Sequence, residues 1–378
     1  MNQQLAIIGQ NFVVSWFAIF CFLGCLAGLL MACILRKTQK QQVSDVFIVV
    51  TFAVPLGLIL SRLFYCLFVG NISSTHQIFR FTDGGYGLYG AIFGVFLAAV
   101  LTGIVFRMRG LGKLFDCLAV GGALAIAVGR FATYFSGAEI GYEVPFKTLT
   151  VYKITDKIHL LAVYWLDGGY ETVIWLVCLL FYCIIRKKGK NKSVDGVTAL
   201  LMLALHGTNA VVMESLRSDA LTFGPNQVFK ISQLLGAACY VVITSAFIVK
   251  TAKNEGGRLI HKILVLVMLL CMVAAGIAEW RVGKNNYVFL HVLILTCMIV
   301  LDTITVYFSW KAVAAAKTVE TESLTEAEQT AVTEEPSEKV SREKKSSAKS
   351  RRRISKNEAD SIMAAFKDTI QSEDESLL

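Results

Sequence analysis

A polytopic bundle of transmembrane α-helices is the fold class this sequence predicts, and three observations predict it. The 378 residues are 55% hydrophobic and only 17% charged, with a mean hydropathy of +0.59; soluble domains carry about 25% charged residues. The apolar residues gather in runs close to the ~20 residues that a helix needs to cross a bilayer. The runs do not alternate as the ~10-residue strands of a transmembrane barrel do. In lipid, backbone polar groups must pair within the element, so unbroken apolar runs read as helices.

Nine stretches qualify in order: roughly 12–35, 44–69, 88–107, 114–135, 171–186, 195–215, 228–250, 261–279 and 287–309. Met1 to Gln10 contains no Lys or Arg, so the basic region of a signal peptide is missing, and the run from Phe12 reads as a span. Short loops on the cytoplasmic side are enriched in Lys and Arg. The turns after helices 1, 3, 5 and 7 carry fifteen: Arg36, Lys37, Lys40; Arg107, Arg109, Lys113; Arg186, Lys187, Lys188, Lys190, Lys192; and Lys250, Lys253, Arg258, Lys262. The opposite loops carry seven: Arg80, Lys147, Lys153, Lys157, Arg217, Arg281 and Lys284. This predicts an N-terminus outside and a C-terminus in the cytoplasm, and it explains the +9 net charge as topology rather than a nucleic-acid footprint. All ten cysteines fall inside the runs and no CxxC occurs, so neither a disulfide framework nor a zinc site is expected.

The composition divides the chain into a seven-helix block (1–250), a two-helix block (251–316) and a charged tail (317–378). In the tail, 320–338 is acidic and 339–356 is basic, the pattern of a disordered segment. Ala359, Ile362, Met363, Phe366 and Ile370 share one helical face within 357–371. They read either as a short amphipathic helix or as a weakly helical end. Two outer loops stand out: 70–87, ending in DGGYG, and 136–169, rich in aromatics.

Ionisable residues in membrane helices are costly and point to function. Arg62 lies well inside helix 2, and Asp116 near the inner end of helix 4 reads as interfacial. For these two, packing and function stay open. Arg130 (helix 4), Glu171 (opening helix 5), and Glu214 and Arg217 (helix 6) all fall at outer helix ends. Two guanidinium groups at headgroup level match a phosphate bidentately, and carboxylates can position them. The glycines of DGGYGLYGAIFG allow a tight loop and a close helix approach. Tyr89 among them reads either as an interfacial belt residue or as part of a site, and His206, mid-helix 6, as a packing residue or a site residue.

The order of motifs resembles the prolipoprotein diacylglyceryl transferase family over roughly residues 5–250. The matching pieces are IIGQNFVVSWFAI, LSRLFY, GGYGLYGAIFG, KLFDCLAVGGALAIAVGRFATYF, YE at 170–171, ESLRSD at 214–219 and SQLL at 232–235. GRFATYFSGAEIG resembles a family signature near GRxGNFxNxExxG, with Thr133 and Ser136 at the two Asn positions and Glu139 one place late. The resemblance implies transfer of diacylglycerol from phosphatidylglycerol to the lipobox cysteine thiol of a prolipoprotein signal peptide, in a bacterial cytoplasmic membrane. It implies Arg130 and Arg217 as phosphate-handling residues. Tyr89 stands where the family often has His, a candidate base, and could serve only with help from a nearby Arg. Arg62, Glu171, Glu214, Gln233 and Glu139 are the remaining substrate-binding candidates. The two extra helices and the tail mark a divergent member.

No HExxH, P-loop or GxGxxG in its required context occurs, so no metal or nucleotide cofactor is expected. The expected partners are phosphatidylglycerol, the prolipoprotein and membrane lipids. Two readings stay open at this point: an active transferase, or a non-catalytic lipid-binding or accessory protein on the same scaffold.

Overall fold

The computed structural model describes residues 4–8, 12–69, 79–80, 84–153, 155–188, 195–223, 229–254, 259–282 and 296–311. The charged tail with its 357–371 segment, and most of the 70–83 loop, lie outside the described residues. The elements run β1 (Gln4–Ile8), β2 (Phe12–Ser15), α1 (Trp16–Thr38), α2 (Ser44–Val69), α3 (Leu88–Val105), α4 (Leu111–Ser136), β3 (Ile140–Glu143), β4 (Thr150–Lys153) and β5 (Ile158–Ala162). Then come α5 (Val163–Lys188), α6 (Val197–Leu216), β6 (Thr222–Phe223), β7 (Phe229–Lys230), α7 (Ile231–Asn254) and α8 (Leu259–Val282). A last helical stretch covers 296–311, here α9.

The protein is a mostly helical, multi-pass membrane protein. Among the described residues, α1 to α7 are long and apolar enough to cross a bilayer, and α8 contains a shorter apolar stretch, His261–Ala274. The hub is α6, which packs against α4, α5 and α7. In its apolar window 78% is buried, against 22% for the peripheral α1. A helix apolar on all sides belongs inside a bundle. Around it, α1 lies along α4 and α2 along α3. Gly207 and Gly236 let α6 and α7 touch backbone to backbone, because a Cβ on either would sit 2.5 Å from the other's carbonyl oxygen.

Three local expectations are corrected. Residues 12–15 are not helical but pair with 4–8 as an antiparallel hairpin, and Ser15 then caps α1 by accepting the Ala18 N–H at 3.2 Å. Helix α5 begins at Val163 rather than 171. Asp167, Gly168 and Gly169 interrupt the apolar run, yet they lie inside the helix, so Glu171 sits two turns in. The 136–169 connection holds a three-stranded antiparallel sheet in the order β3-β5-β4, built on alternating Thr-Val-Tyr and Ile-His-Leu segments; β5 runs directly into α5. Asp116, near the start of α4, is buried within the protein, and its carboxylate accepts the backbone N–H groups of Gly196 at 3.0 Å and Ala199 at 3.1 Å. It caps α6 from a neighbouring helix. All ten cysteines are free.

Candidate active site

The end of α4 sets the geometry. Helix α4 stops at Gly137, whose positive φ of 70° lets its N–H reach the Thr133 carbonyl. Two residues later Glu139 is also left-handed, with φ 60°. For a residue with a side chain this costs about 1–2 kcal/mol. The conformation is held from both sides. The Glu139 N–H donates to Asp219 Oδ2 at 2.9 Å, and its carboxylate is buried between two arginines.

One oxygen, Glu139 Oε1, pairs with Arg130 Nη1 and lies 3.5 Å from Arg217 Nη1. The Thr133 hydroxyl lies 3.0 Å from the other oxygen. Arg130 Nε also pairs with Asp167 Oδ2 at 3.1 Å, one turn before Glu171 on α5. Arg217 pairs with Glu214 at 3.0 Å and with Asp219 at 3.0 Å. The strand β3 secures this arrangement, because Gly141 bridges to Arg217 and Ser218 bonds the Ile140 carbonyl at 2.7 Å. Both arginine side chains remain partly exposed, 14% and 15%. Burial alone would raise the Asp219 carboxyl, but the Arg217 guanidinium beside it and backbone N–H groups hold it below the usual carboxylate value. Burial would lower the Arg217 guanidinium; Glu214, Glu139 and Asp219 outweigh that and push it up.

A second, deeper network continues inward. Asn209 on α6 donates to Asp167 Oδ1 at 2.6 Å and to Glu171 Oε1 at 2.7 Å. Glu171 Oε1 lies 2.5 Å from His206 Nδ1, and both residues are buried. The His206 ring faces the Tyr89 ring, with centroids 5.6 Å apart. The Tyr89 hydroxyl has no hydrogen-bond partner among the described residues.

With this arrangement in view, comparison with known proteins identifies its class. The sequence profile of the family described as prolipoprotein diacylglyceryl transferase matches residues 4–249. The chain belongs to that family. The phosphatidylglycerol–prolipoprotein diacylglyceryl transferase of Clostridioides difficile strain 630 is 26% identical over 246 residues, covering 64% of this chain and 94% of the relative. The enzyme of that name from Bacillus licheniformis is 28% identical over 245 residues (60% and 87%), and that from Lactococcus lactis 27% over 259 (64% and 92%).

In this family member the structure brings four of the sequence candidates, Arg130, Arg217, Glu139 and Glu214, into direct contact, and reaches Glu171 through Asp167 and Asn209. Tyr89 joins through His206. Arg62 is used elsewhere: it donates to the carbonyls of Gly84 and Gly85, the latter at 3.1 Å, and stacks over Tyr65. It fixes the left-handed glycine turn that leads into α3. Gln233 ties the start of α7 to α6, donating to the Val211 carbonyl at 3.1 Å and accepting the Lys230 N–H at 3.2 Å.

Sequence reasoning missed Asp167, Asn209, Asp219 and Lys230. Asp167 is four residues before Glu171 and so on the same helical face, a signal hidden by treating 163–170 as loop. Lys230, assigned to the seventh span by hydropathy, precedes α7 and holds the last carbonyls of α6, those of Glu214 and Arg217. Also missed is Asp302 of α9, which accepts from the Tyr170 and Thr208 hydroxyls, the neighbours of Glu171 and Asn209.

Proposed function

We propose that this chain transfers the diacylglyceryl group of phosphatidylglycerol to the lipobox cysteine thiol of a prolipoprotein signal peptide. The single observation that carries this reading is the pair of partly exposed arginines, Arg130 and Arg217, held by the shared carboxylate of Glu139 at one end of the bundle. In the reaction, sulfur forms a bond to the glycerol carbon while the carbon–oxygen bond to phosphate breaks, and glycerol phosphate leaves. Negative charge grows on the departing phosphate. Each guanidinium has five N–H donors. Glu139, Asp167, Glu214 and Asp219 occupy some from the protein side and leave the exposed part for phosphate. A preorganised pair of this kind acts where charge develops, without reorganising during the step. Arg62, Gln233, Glu171 and Glu214 shape and position the surrounding helices.

The same reading places the site at the outer leaflet of a bacterial cytoplasmic membrane, with nine spans and the tail inside. The basic asymmetry of the loops supports this orientation, since the arginine pair lies at the opposite helix ends from the fifteen-residue basic set. Residues 1–250 form the transferase block, and the two further helices and the tail are additions to it. Purified protein in phosphatidylglycerol vesicles, supplied with a lipobox peptide, tests the reading. Thioether-linked peptide and glycerol phosphate in equal amounts are expected. Lipid binding with no product overturns it.

A further inference from the structure

Within the proposed reaction, one need is not met by the arginines: the thiol must lose its proton, because the thiolate is the nucleophile. Tyr89 is poorly placed for that work. No basic side chain hydrogen-bonds to its hydroxyl among the described residues. A Cβ at Gly236 would lie 2.8 Å from that hydroxyl, so α7 closes over it.

The residue beneath Tyr89 has what a base requires. A carboxylate can only accept a hydrogen bond, so the 2.5 Å contact with Glu171 Oε1 puts the His206 proton on Nδ1. In the neutral ring Nε2 is then a bare acceptor. That Nε2 is buried and has no partner among the described residues, and the same holds for Glu171 Oε2, Asn209 Oδ1 and the Tyr89 hydroxyl around it. Leaving such groups unpaired costs about 1–3 kcal/mol each, so a cluster of them beside one imidazole marks a place built for a polar partner. Glu171 is itself fixed by Asn209, which also holds Asp167, the partner of Arg130. The imidazole and the phosphate-handling arginine are therefore positioned by one hydrogen-bonded chain.

We infer that His206, oriented by Glu171, is the general base that accepts the thiol proton at Nε2, with Tyr89 as the ring that aligns it. The inference rests on the transferase reading. The step balances: the S–H proton passes to Nε2, the sulfur pair forms the S–C bond, and the C–O pair leaves with the phosphate. His206 then returns its proton to the departing glycerol phosphate or to water.

The test compares a lipobox peptide carrying cysteine with one carrying selenocysteine, whose selenol is already ionised at neutral pH and needs no base. His206→Gln should lower turnover about 10²–10⁴-fold with the thiol peptide, and about tenfold or less with the selenol peptide, whose nucleophile is preformed. The thiol-to-selenol ratio does not depend on how much of the variant folds. Glu171→Gln, which keeps the shape and removes the charge, should shift the same ratio less and leave KM unchanged. It stands in for His206→Gln if that variant yields no folded protein. Tyr89→Phe should affect both peptides equally. Equal losses with both peptides for His206→Gln, or no loss, make His206 a packing residue and overturn the assignment while the transferase reading survives. A wild-type protein that makes no product from either peptide overturns both.

Discussion

At the end of the bundle where α4 and α6 begin, Asp116 closes the two N–H groups of α6, and buried Arg36 pairs with Asp45 at 2.5 Å. At the other end Arg130 and Arg217 share Glu139, Arg130 also holds Asp167, and Arg217 also holds Glu214 and Asp219. Both ends bury charge, but they do it differently. Asp116 completes the start of α6, and Arg36 ties the turn between α1 and α2 through Asp45 and the Gln42 carbonyl. The second cluster has two arginines on one carboxylate, a left-handed Glu139, and an adjoining set of unpaired polar atoms at Tyr89, Glu171, His206 and Asn209. Breaking a buried pair costs stability at either end. The first end also holds unpaired buried atoms, Arg36 Nη1 and Gln39 Oε1, and a left-handed Lys40, but its arginine is fully buried. The second cluster sets such features beside partly exposed arginine side chains, the arrangement of a site that must receive something.

Variants at three positions sharpen this contrast, from the largest effect to the smallest. Arg130→Ala should lower turnover per folded molecule about 10²–10³-fold, as for other donors to a developing charge. Arg130→Lys, which keeps the charge but loses the planar fork, should fall between it and wild type. Assays normalised to folded protein read both. At the opposite end, Asp116→Ala should cost about 1–2 kcal/mol, the loss of a helix cap, seen as a lower melting temperature with unchanged turnover per folded molecule. A fall in turnover there would erase the distinction between the two ends.

The third position concerns pH. Because the folded Asp219 carboxyl titrates below its ordinary value of 3.8, its contribution is present above that value and is lost as pH falls past it. Asp219→Asn should therefore remove part of the acid-side loss of stability below about pH 4. An unaltered acid limb would show that Asp219 does not support the Glu139 turn.

The sequence made most of the architecture legible because hydropathy reports helices directly. The runs at 44–69, 88–107 and 195–215 differ from α2, α3 and α6 by only a few residues. Where a helix contains polar residues that face a partner, hydropathy fails, and the apolar run starts only at 171, after Asp167, although α5 begins at Val163. The arginines were legible because charge in an apolar run is conspicuous. Glu139 was a candidate only through the family resemblance, one residue late against its pattern, and the left-handed turns at Gly137 and Glu139 bring it between Arg130 and Arg217. The pairing of His206 with Glu171 joins two helices 35 residues apart, and no local pattern announces it.

The central claim is that Arg130 and Arg217 act together on one phosphate. The most direct measurement is a double-mutant cycle on Arg130→Ala and Arg217→Ala, with turnover per folded molecule and thermal stability read in parallel. Residues that act as a unit are strongly non-additive. Each single variant should lose about 10²–10³-fold in turnover, the double variant should be little worse than the poorer single, and stability should change less than activity. Near-normal turnover in all three, with stability lost as Glu139, Asp167 and Glu214 are left unpaired, would contradict the account and make the arginines packing elements.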